Sequence, residues 1–449
     1  MADKYGSLYK RIVVYQITAR CREPLHIGSD YDRKCGVLIH PVKNIPFVQA
    51  TGIAGAFRDF LSENADLQRK LFGSSAGTTT KENGVSSSDT GSRIRISDAF
   101  FVGNEVGMEL RPRVKIHPET GTAQNSQLKG SENWSGQKFE MESVSAGAEF
   151  SFTMYLYEQD HEYEPDIERI LGALHAGIIQ LGGQKSNGCG YVTLCKVIKT
   201  DYDMTKPEDR KLWATEIKTG QVITEQLKKQ GAEQDTRLHF ELSGEVKEEL
   251  LIKAIASRKP MSVEVPTSTE QIRTSDEKLL IPATSIKGVI RSQMEKIAKW
   301  KQLPETEIER IFGKNSETDK TGYLGFIHFF DTILEGEERP AQKRIHIDKF
   351  TGGVLYSSLF SETPVYGKLQ IRVDLEQEDK AAAGLLLMAL RDLGIGILPL
   401  GSGSSIGRGY ISGTELRIKD GRKVVAKINL KTKQIEMGEE LITAYLKAV

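Results

Sequence analysis

Apolar and polar positions alternate where the chain begins, and the same alternation returns half-way along. Val13, Tyr15, Ile17 and Ala19 occupy every second position, and so do Leu238, Phe240 and Leu242, with Arg237, His239 and Glu241 between. A period of two predicts a half-buried strand in each place. Further on the period changes to that of a helix. Ile286, Ile290, Met294 and Ile297 form one stripe, and Ile53, Phe57 and Phe60 or Leu61 form another. The helical regions open on "PFVQATGIAGAFRDFL" (Pro46 to Leu61) and "LLIPATSIKGVIRSQMEKI" (Leu279 to Ile297), which share an Ala-Thr, a Gly four residues after the Thr and an Arg three residues after the Gly.

Three further landmarks recur in the same order. The helical regions end in "LFG" (Leu71–Gly73) and "IFG" (Ile311–Gly313), where a glycine suits a helix C-terminus. Polar insertions and short strands follow, "RIRISDAFF" in one half and "YLGFIHFFD" in the other. Next come "RVKIHPETG…" and "RIHIDKFTGG…", each a basic strand, a Thr-Gly, a variable polar stretch, a Glu and a Gly. Last are "LGALHAGIIQLGGQKSNGCGYVTL" and "LLMALRDLGIGILPLGSGSSIGRGYISG", an apolar helix running into a glycine-rich loop and a strand. The period is roughly 230 residues, so a whole domain is duplicated. Each copy orders as strand, helix, strands, helix, strand, the pattern of an α+β, ferredoxin-like sheet with one helix-covered face and one open face. The expected organisation is a first domain over residues 1–205, a connecting strand, helix and linker over 206–235, and a second domain over 236–449.

Composition narrows the function classes only a little. The chain has 449 residues, 39% hydrophobic and 27% charged, which fits a globular protein. No window reaches the length and apolarity of a spanning helix, and the N-terminal stretch enters a strand pattern without signal-peptide character. Four cysteines, Cys21, Cys35, Cys189 and Cys195, form no CxxC pair and are too few for a disulfide framework. A reduced, cytoplasmic protein without structural zinc or a membrane partner is expected. Lys plus Arg and Asp plus Glu both number 61, so nonspecific coating of nucleic acid is disfavoured, although a local basic groove is not.

Four sets of residues carry candidate chemistry. The loops "GGQKSNGCGY" and "GSGSSIGRGY" free the backbone for close approach, and their N–H groups could cradle phosphates with Lys185 and Arg408 adding charge. The alternative is a tight turn that packs a helix on a sheet. No GK[ST] follows, which argues against a nucleotide P-loop. In "ATSIKG" the helix N-terminus is a potential anion site, with Lys287 and Arg291 four apart on one face, or else a solvated basic pair. The first copy keeps Arg58 but has Ala54 in place of Lys287. The loop "EPLHIGSDYDRKCGVLIHP" gathers His26, Asp30, Asp32, Arg33 and Lys34. A carboxylate there could assist attack of an RNA 2′-hydroxyl on its phosphate, as a base or by holding a metal ion, or the loop is polar surface and His26 structural. The polar segments after the two Thr-Gly pairs carry Trp134 in one copy and Tyr356 and Phe360 in the other, which could wedge between bases or pack on a partner.

The combination of "LHIGSD", "ATSIKGVIR", "LFG/IFG", "RIHIDKFTGG…E…G" and "GSGSSIGRGY", most of it present twice, resembles the RAMP superfamily of CRISPR-associated proteins. The likeness is to the backbone subunits of type III RNA-targeting complexes, in the tandem double-RAMP fusion form often called III-D. It covers nearly all the chain outside the central linker. The resemblance implies two modified ferredoxin-like (RRM-like) domains with thumb hairpin insertions, gripping the sugar-phosphate chain of a CRISPR guide RNA while base pairing reads the complementary target RNA. It implies other effector-complex subunits as partners, and a loop aspartate with a divalent metal ion, Mg²⁺, for target cleavage. Counting back from "NIPFVQATG" places the counterpart of that aspartate nearest Lys34. Asp32 is the residue assigned to metal binding and catalysis, with Asp30 in reserve. In the second copy "LHIG" is missing, and only Glu264-Val265-Pro266 matches the accompanying pattern, so either that copy is inactive or Glu264 is the substitute there. Guide contacts map to Arg58, Lys185, Lys287, Arg291 and Arg408, with Lys34 beside the catalytic loop. Two other readings stand beside this one. One is a scaffold subunit without catalysis, and the other is a guide-RNA-processing endoribonuclease that uses His26 as general base. A small-molecule enzyme built on the glycine-rich loops finds no cofactor fingerprint to support it.

Overall fold

The computed structural model describes residues 9–28, 36–73, 91–103, 106–114, 116, 125–127, 134–136, 138–215, 219–254, 267–314, 322–355 and 359–449. The chain forms two compact α+β units. The first comprises Met1–Met108, Ser143–Lys185 and Cys189–Asp235. The second comprises Glu109–Glu142, Ser186–Gly188 and Thr236–Val449. Among the described residues no helix is long and apolar enough to cross a membrane.

In the first unit, strand Arg11–Cys21 lies between Val192–Asp203 and Glu149–Glu158 and runs antiparallel to both. Ile94–Ile96 and Ala99–Phe101 pair with the far side of Glu149–Glu158. This is the ferredoxin-like order of last, first, third and second strand. Helices α1 (Ala50–Phe60), α2 (Ala65–Phe72) and α3 (Glu164–Ala176) supply the covering layer. The alternation read from the sequence sends Val13, Tyr15, Ile17 and Ala19 into one core with Ile53, Phe57, Ile167 and Leu171. The opposite face is not open. Helix α4 (Pro207–Thr215) lays Leu212 and Trp213 over Ile12, Val14 and Tyr202. Trp213 meets Tyr202 edge-on, 5.1 Å between ring centroids. Residues 206–235, expected to connect the halves, also carry a short strand, Gln221–Val222, and α5 (Thr224–Gln234), which packs on α3. That packing requires glycine, since a Cβ on Gly231 would sit 2.1 Å from the Gly172 carbonyl oxygen.

The second unit repeats the plan. Leu238–Val246 lies between Ile411–Asp420 and Val365–Leu375, again antiparallel to both. Helices α6 (Ala283–Trp300), α7 (Glu305–Phe312) and α8 (Lys380–Gly394) bury Ile286, Ile290, Met294, Ile311 and Leu386 against Phe240 and Leu242. A final hairpin, Lys423–Asn429 with Gln434–Met437, extends the sheet, and α9 (Glu439–Lys447) packs on α8. On the other face charges pair across strands, as in Lys419 with Glu241 at 2.6 Å. The asymmetry of the two outer faces matches their sequences. Ile12 and Val14 are apolar where the second copy has Arg237 and His239.

Irregularities recur as faithfully as regular elements. The pairing of first and last strand slips between Thr18 and Ala19 in one unit and between Ser243 and Gly244 in the other. The residues passed over are Cys195 and Thr414, each five positions after a loop glycine, Gly190 and Gly409. Those glycines hold φ of 87° and 85°. Each carbonyl accepts a hydrogen bond from a leucine N–H at the helix exit, Leu181 at 3.0 Å and Leu400 at 2.8 Å, and each N–H donates to the segment after the first strand, at Pro24 and Glu249. A Cβ would lie 2.1 Å from the Leu181 oxygen and 2.0 Å from the Leu400 oxygen. Gly190→Ala and Gly409→Ala are each expected to destabilise by more than about 2 kcal/mol in urea unfolding, whereas Gly288→Ala, open on its helix, is neutral or stabilising by up to about 1 kcal/mol.

Candidate nucleic-acid interface

Helix α6 begins after Pro282, in extended conformation, and α1 begins after Gln49 with nearly the same dihedrals. Neither residue caps its helix with a side chain. The first N–H groups therefore need an acceptor from elsewhere. In the second unit the Ala283 N–H donates to Asp331 Oδ1 at 2.8 Å. In the first unit the Ala50 N–H donates to Asp98 Oδ1 at the same distance, and both partners are 48 residues apart in sequence. The helix N-terminus expected to receive phosphate is thus occupied by a carboxylate in both units. Arg111 completes the second arrangement, donating to Asp331 Oδ2 at 2.5 Å and to Glu109.

One turn into α6 the electrostatics reverse. Lys287 Nζ donates to Ser186 Oγ at 2.8 Å. Burial foremost, and then the positive charges of Arg291 and Arg113, lower its pKa to about 8. Arg291 lies over the Phe312 ring at 5.3 Å and donates to Glu295 at 2.8 Å. The result is a desolvated ammonium beside two guanidinium groups, and an anion such as a phosphate diester would relieve that repulsion. Lys287 and Arg291 were legible in the sequence. Arg113, Ser186 and the two capping aspartates were not, although the equal 48-residue spacing was available as a signal.

Arg408 requires a correction. It is 2% exposed and forms a closed network: Nε to Glu249 at 3.0 Å, Nη1 to Glu362 at 2.7 Å and Nη2 to Gln342 at 2.6 Å. No face remains for RNA. The register of the repeats explains it. Gly409 corresponds to Gly190, so Arg408 stands where the first copy has Cys189. The reciprocal bonds of Leu25 with Val144 and of Leu250 with Val365 place Glu249 at Pro24 and Glu362 at Met141. One copy fills the three positions with apolar side chains or proline, and the other with a buried ion cluster.

The same register finds the motif thought missing. "LLIK" (Leu250–Lys253) is the second-copy counterpart of "LHIG", because Gly183 N–H donates to the His26 carbonyl and Ser402 N–H to the Leu251 carbonyl, both at 2.9 Å. His26 therefore occupies a buried position that the other copy gives to leucine, and its backbone pairs with Gly183. A surface general base is not what this position provides. Lys185 opens the short turn Lys185–Asn187, half-buried, with its carbonyl accepting from Gln180. Arg58 is half-buried on α1. Asp30, Asp32, Lys34 and Glu264 lie outside the described residues, as do Tyr356 and the side chain of Trp134.

The second Thr-Gly landmark forms a turn. The Asp348 carboxylate accepts from the N–H groups of Phe350 (2.9 Å) and Thr351 (2.7 Å) and from the Thr351 hydroxyl, contacts that lower its pKa. Gly352 takes φ of 68°, and Ile347 bridges to Val354. The turn presents Phe350, 86% exposed, with Ile347 and Val354 beside it. An apolar tip held by polar contacts at its base is suited to insertion between bases or into a partner.

Comparison with known proteins follows these features. No curated protein matches the sequence. One similar solved structure is the cryo-EM structure of the Type III-B Cmr-beta bound to cognate target RNA, 14% identical, with a TM-score of 0.31 over 42% of this chain and 61% of that one. The chain thus matches less than two thirds of that relative's length. The family model of the RAMP superfamily matches residues 18–193 and again 233–412, one match per repeat, and the chain belongs to that superfamily.

Proposed function

We propose that this chain is a guide-RNA-binding backbone subunit of a type III CRISPR effector complex, acting with other subunits of that complex. In this reading its first repeat also cleaves complementary target RNA with a divalent metal ion. The observation that carries the RNA-binding reading is the Lys287, Arg291 and Arg113 cluster, whose mutual repulsion is relieved by a phosphate. Membership of the RAMP superfamily in both repeats supports it. So does the state of the sheet faces. The first is covered by α4, and the charges of the second are paired, so single-stranded RNA is not read on an open aromatic platform. Contacts come instead from the helix and loop edge, which suits gripping a backbone without reading bases.

Asp32, with Asp30 beside it, is the residue proposed to hold the metal. Carboxylate oxygens are the donors that Mg²⁺ prefers, and the ion would polarise the scissile phosphate. Glu264 is the corresponding proposal in the second repeat. The buried place of His26 counts against a metal-free processing enzyme that relies on that residue.

Two outcomes test this reading. Lys287 is charged at pH 7 and loses its proton as pH rises through about 8, where an ordinary lysine would keep it. Affinity for single-stranded guide RNA, measured by anisotropy at constant ionic strength, is therefore expected to fall about fivefold between pH 7 and pH 9. The Lys287→Arg variant is expected to stay flat, and a flat wild-type curve would remove Lys287 from the interface. For catalysis, Asp32→Ala in the co-expressed complex should abolish one target-RNA cut while guide RNA and subunit content are unchanged. Unaltered cutting would leave a scaffold subunit, and loss of assembly would make the loop structural.

A further inference from the structure

The first unit holds a polar cluster that the second lacks. Glu158 ends its strand, His161 follows in the turn, and Glu164 is the first residue of α3. One donor atom from each lies within 4.8 Å of the others, and Glu158 and Glu164 are buried. Glu158 Oε2 accepts from the Tyr163 N–H at 3.1 Å, but its Oε1 has no hydrogen-bond partner although the residue is 0% exposed. The Tyr15 hydroxyl, also at 0% exposure, has no partner either. Burial and then the charges of Glu164, Glu168 and Glu158 push its ionisation far up, so it sits in their field. Glu164 also contacts His161 and Lys199, and Lys199 reaches Glu168 at 2.7 Å. Lys199 thus faces two carboxylates, while Glu158 lies in the field of the Arg11 guanidinium.

The duplication shows that the fold does not need Glu164 or the polar groups around it. Tyr15 pairs across strands with Lys199, and the corresponding pair in the second unit is Phe240 with Ile418. Counting back equally from the helix-end glycines Gly177 and Gly396, Glu164 and Glu168 correspond to Ala383 and Leu387. All four replacements are buried and apolar. An apolar core serves the same helix–sheet contact, so four polar groups there, with the unsatisfied Tyr15 hydroxyl among them and the unsatisfied Glu158 Oε1 in the same cluster, call for a cause other than packing.

We propose that Glu158, His161 and Glu164 bind a divalent first-row transition ion. One imidazole and two carboxylates suit Zn²⁺ or Mn²⁺ better than Mg²⁺, and His161, whose side chain is 60% exposed, gives the ion a route from solvent. A cleft of about 580 Å³ opens beside it, lined by His161, Glu164, Glu168, Lys199 and Gln226. This proposal shares no residue with the Asp32 assignment and does not depend on the RNA-binding reading.

The test is calorimetric titration of the chelator-stripped full chain with ZnCl₂ and MnCl₂, with MgCl₂ as comparison. One ion per chain is expected, with affinity reduced about tenfold or more by His161→Ala, an exposed position that leaves the fold intact, and likewise by Glu158→Gln. X-ray absorption of the Zn²⁺ form should show nitrogen and oxygen neighbours without sulfur. No saturable binding, unchanged affinity in His161→Ala, or sulfur ligation pointing to the cysteines would each overturn the proposal.

Discussion

Each unit depends on one backbone clamp. A glycine at positive φ presses against the carbonyl that leaves the long helix, Leu181 in one unit and Leu400 in the other, with no room for a side chain. The same glycine donates to the segment that follows the first strand. Helix exit, first strand and last strand are thereby tied at a single point. The bulge five residues later sets the register of the last strand beyond it. The loops that looked like phosphate cradles hold the fold first, and their glycines are explained by close packing without invoking a ligand.

With the clamp as common reference, the repeats become controls for one another. Positions that differ in chemistry but not in backbone separate structure from function. Arg408 with its two carboxylates against Cys189, Met141 and Pro24 is an exchange of one way of filling a core for another. His26 against Leu251 is of the same kind. The Lys287 position differs otherwise. Ala54, half-buried, replaces it in the first unit, and in the second unit the ammonium is buried beside like charges. That electrostatic cost is what the proposed phosphate contact would relieve.

Much of the architecture was legible because it rests on periodicity and glycine. Alternation found the central strands, the i, i+4 stripes found α1 and α6, and the apolar-Phe-Gly endings found glycines at φ of 79° and 86°. What stayed hidden depends on partners distant in sequence. Asp98 and Asp331 cap helices that begin 48 residues earlier, and no local pattern announces that. Arg408 looked like surface charge because burial of an arginine is visible only once Glu249, Gln342 and Glu362 converge on it. "LLIK" escaped notice because an apolar substitution erased the histidine and glycine by which the motif is recognised, while its backbone bonds survived.

The central claim is that RNA runs along the Lys287 edge of the second unit. Photo-crosslinking of the assembled complex, followed by mass spectrometry of RNA-linked peptides, tests it most directly. The account predicts crosslinks on the α6 peptide containing Lys287 and Arg291 and on the strand containing Arg113. Crosslinks confined to the outer sheet faces, around Tyr155 and Trp213 or around Lys419, with none on α6, would contradict it.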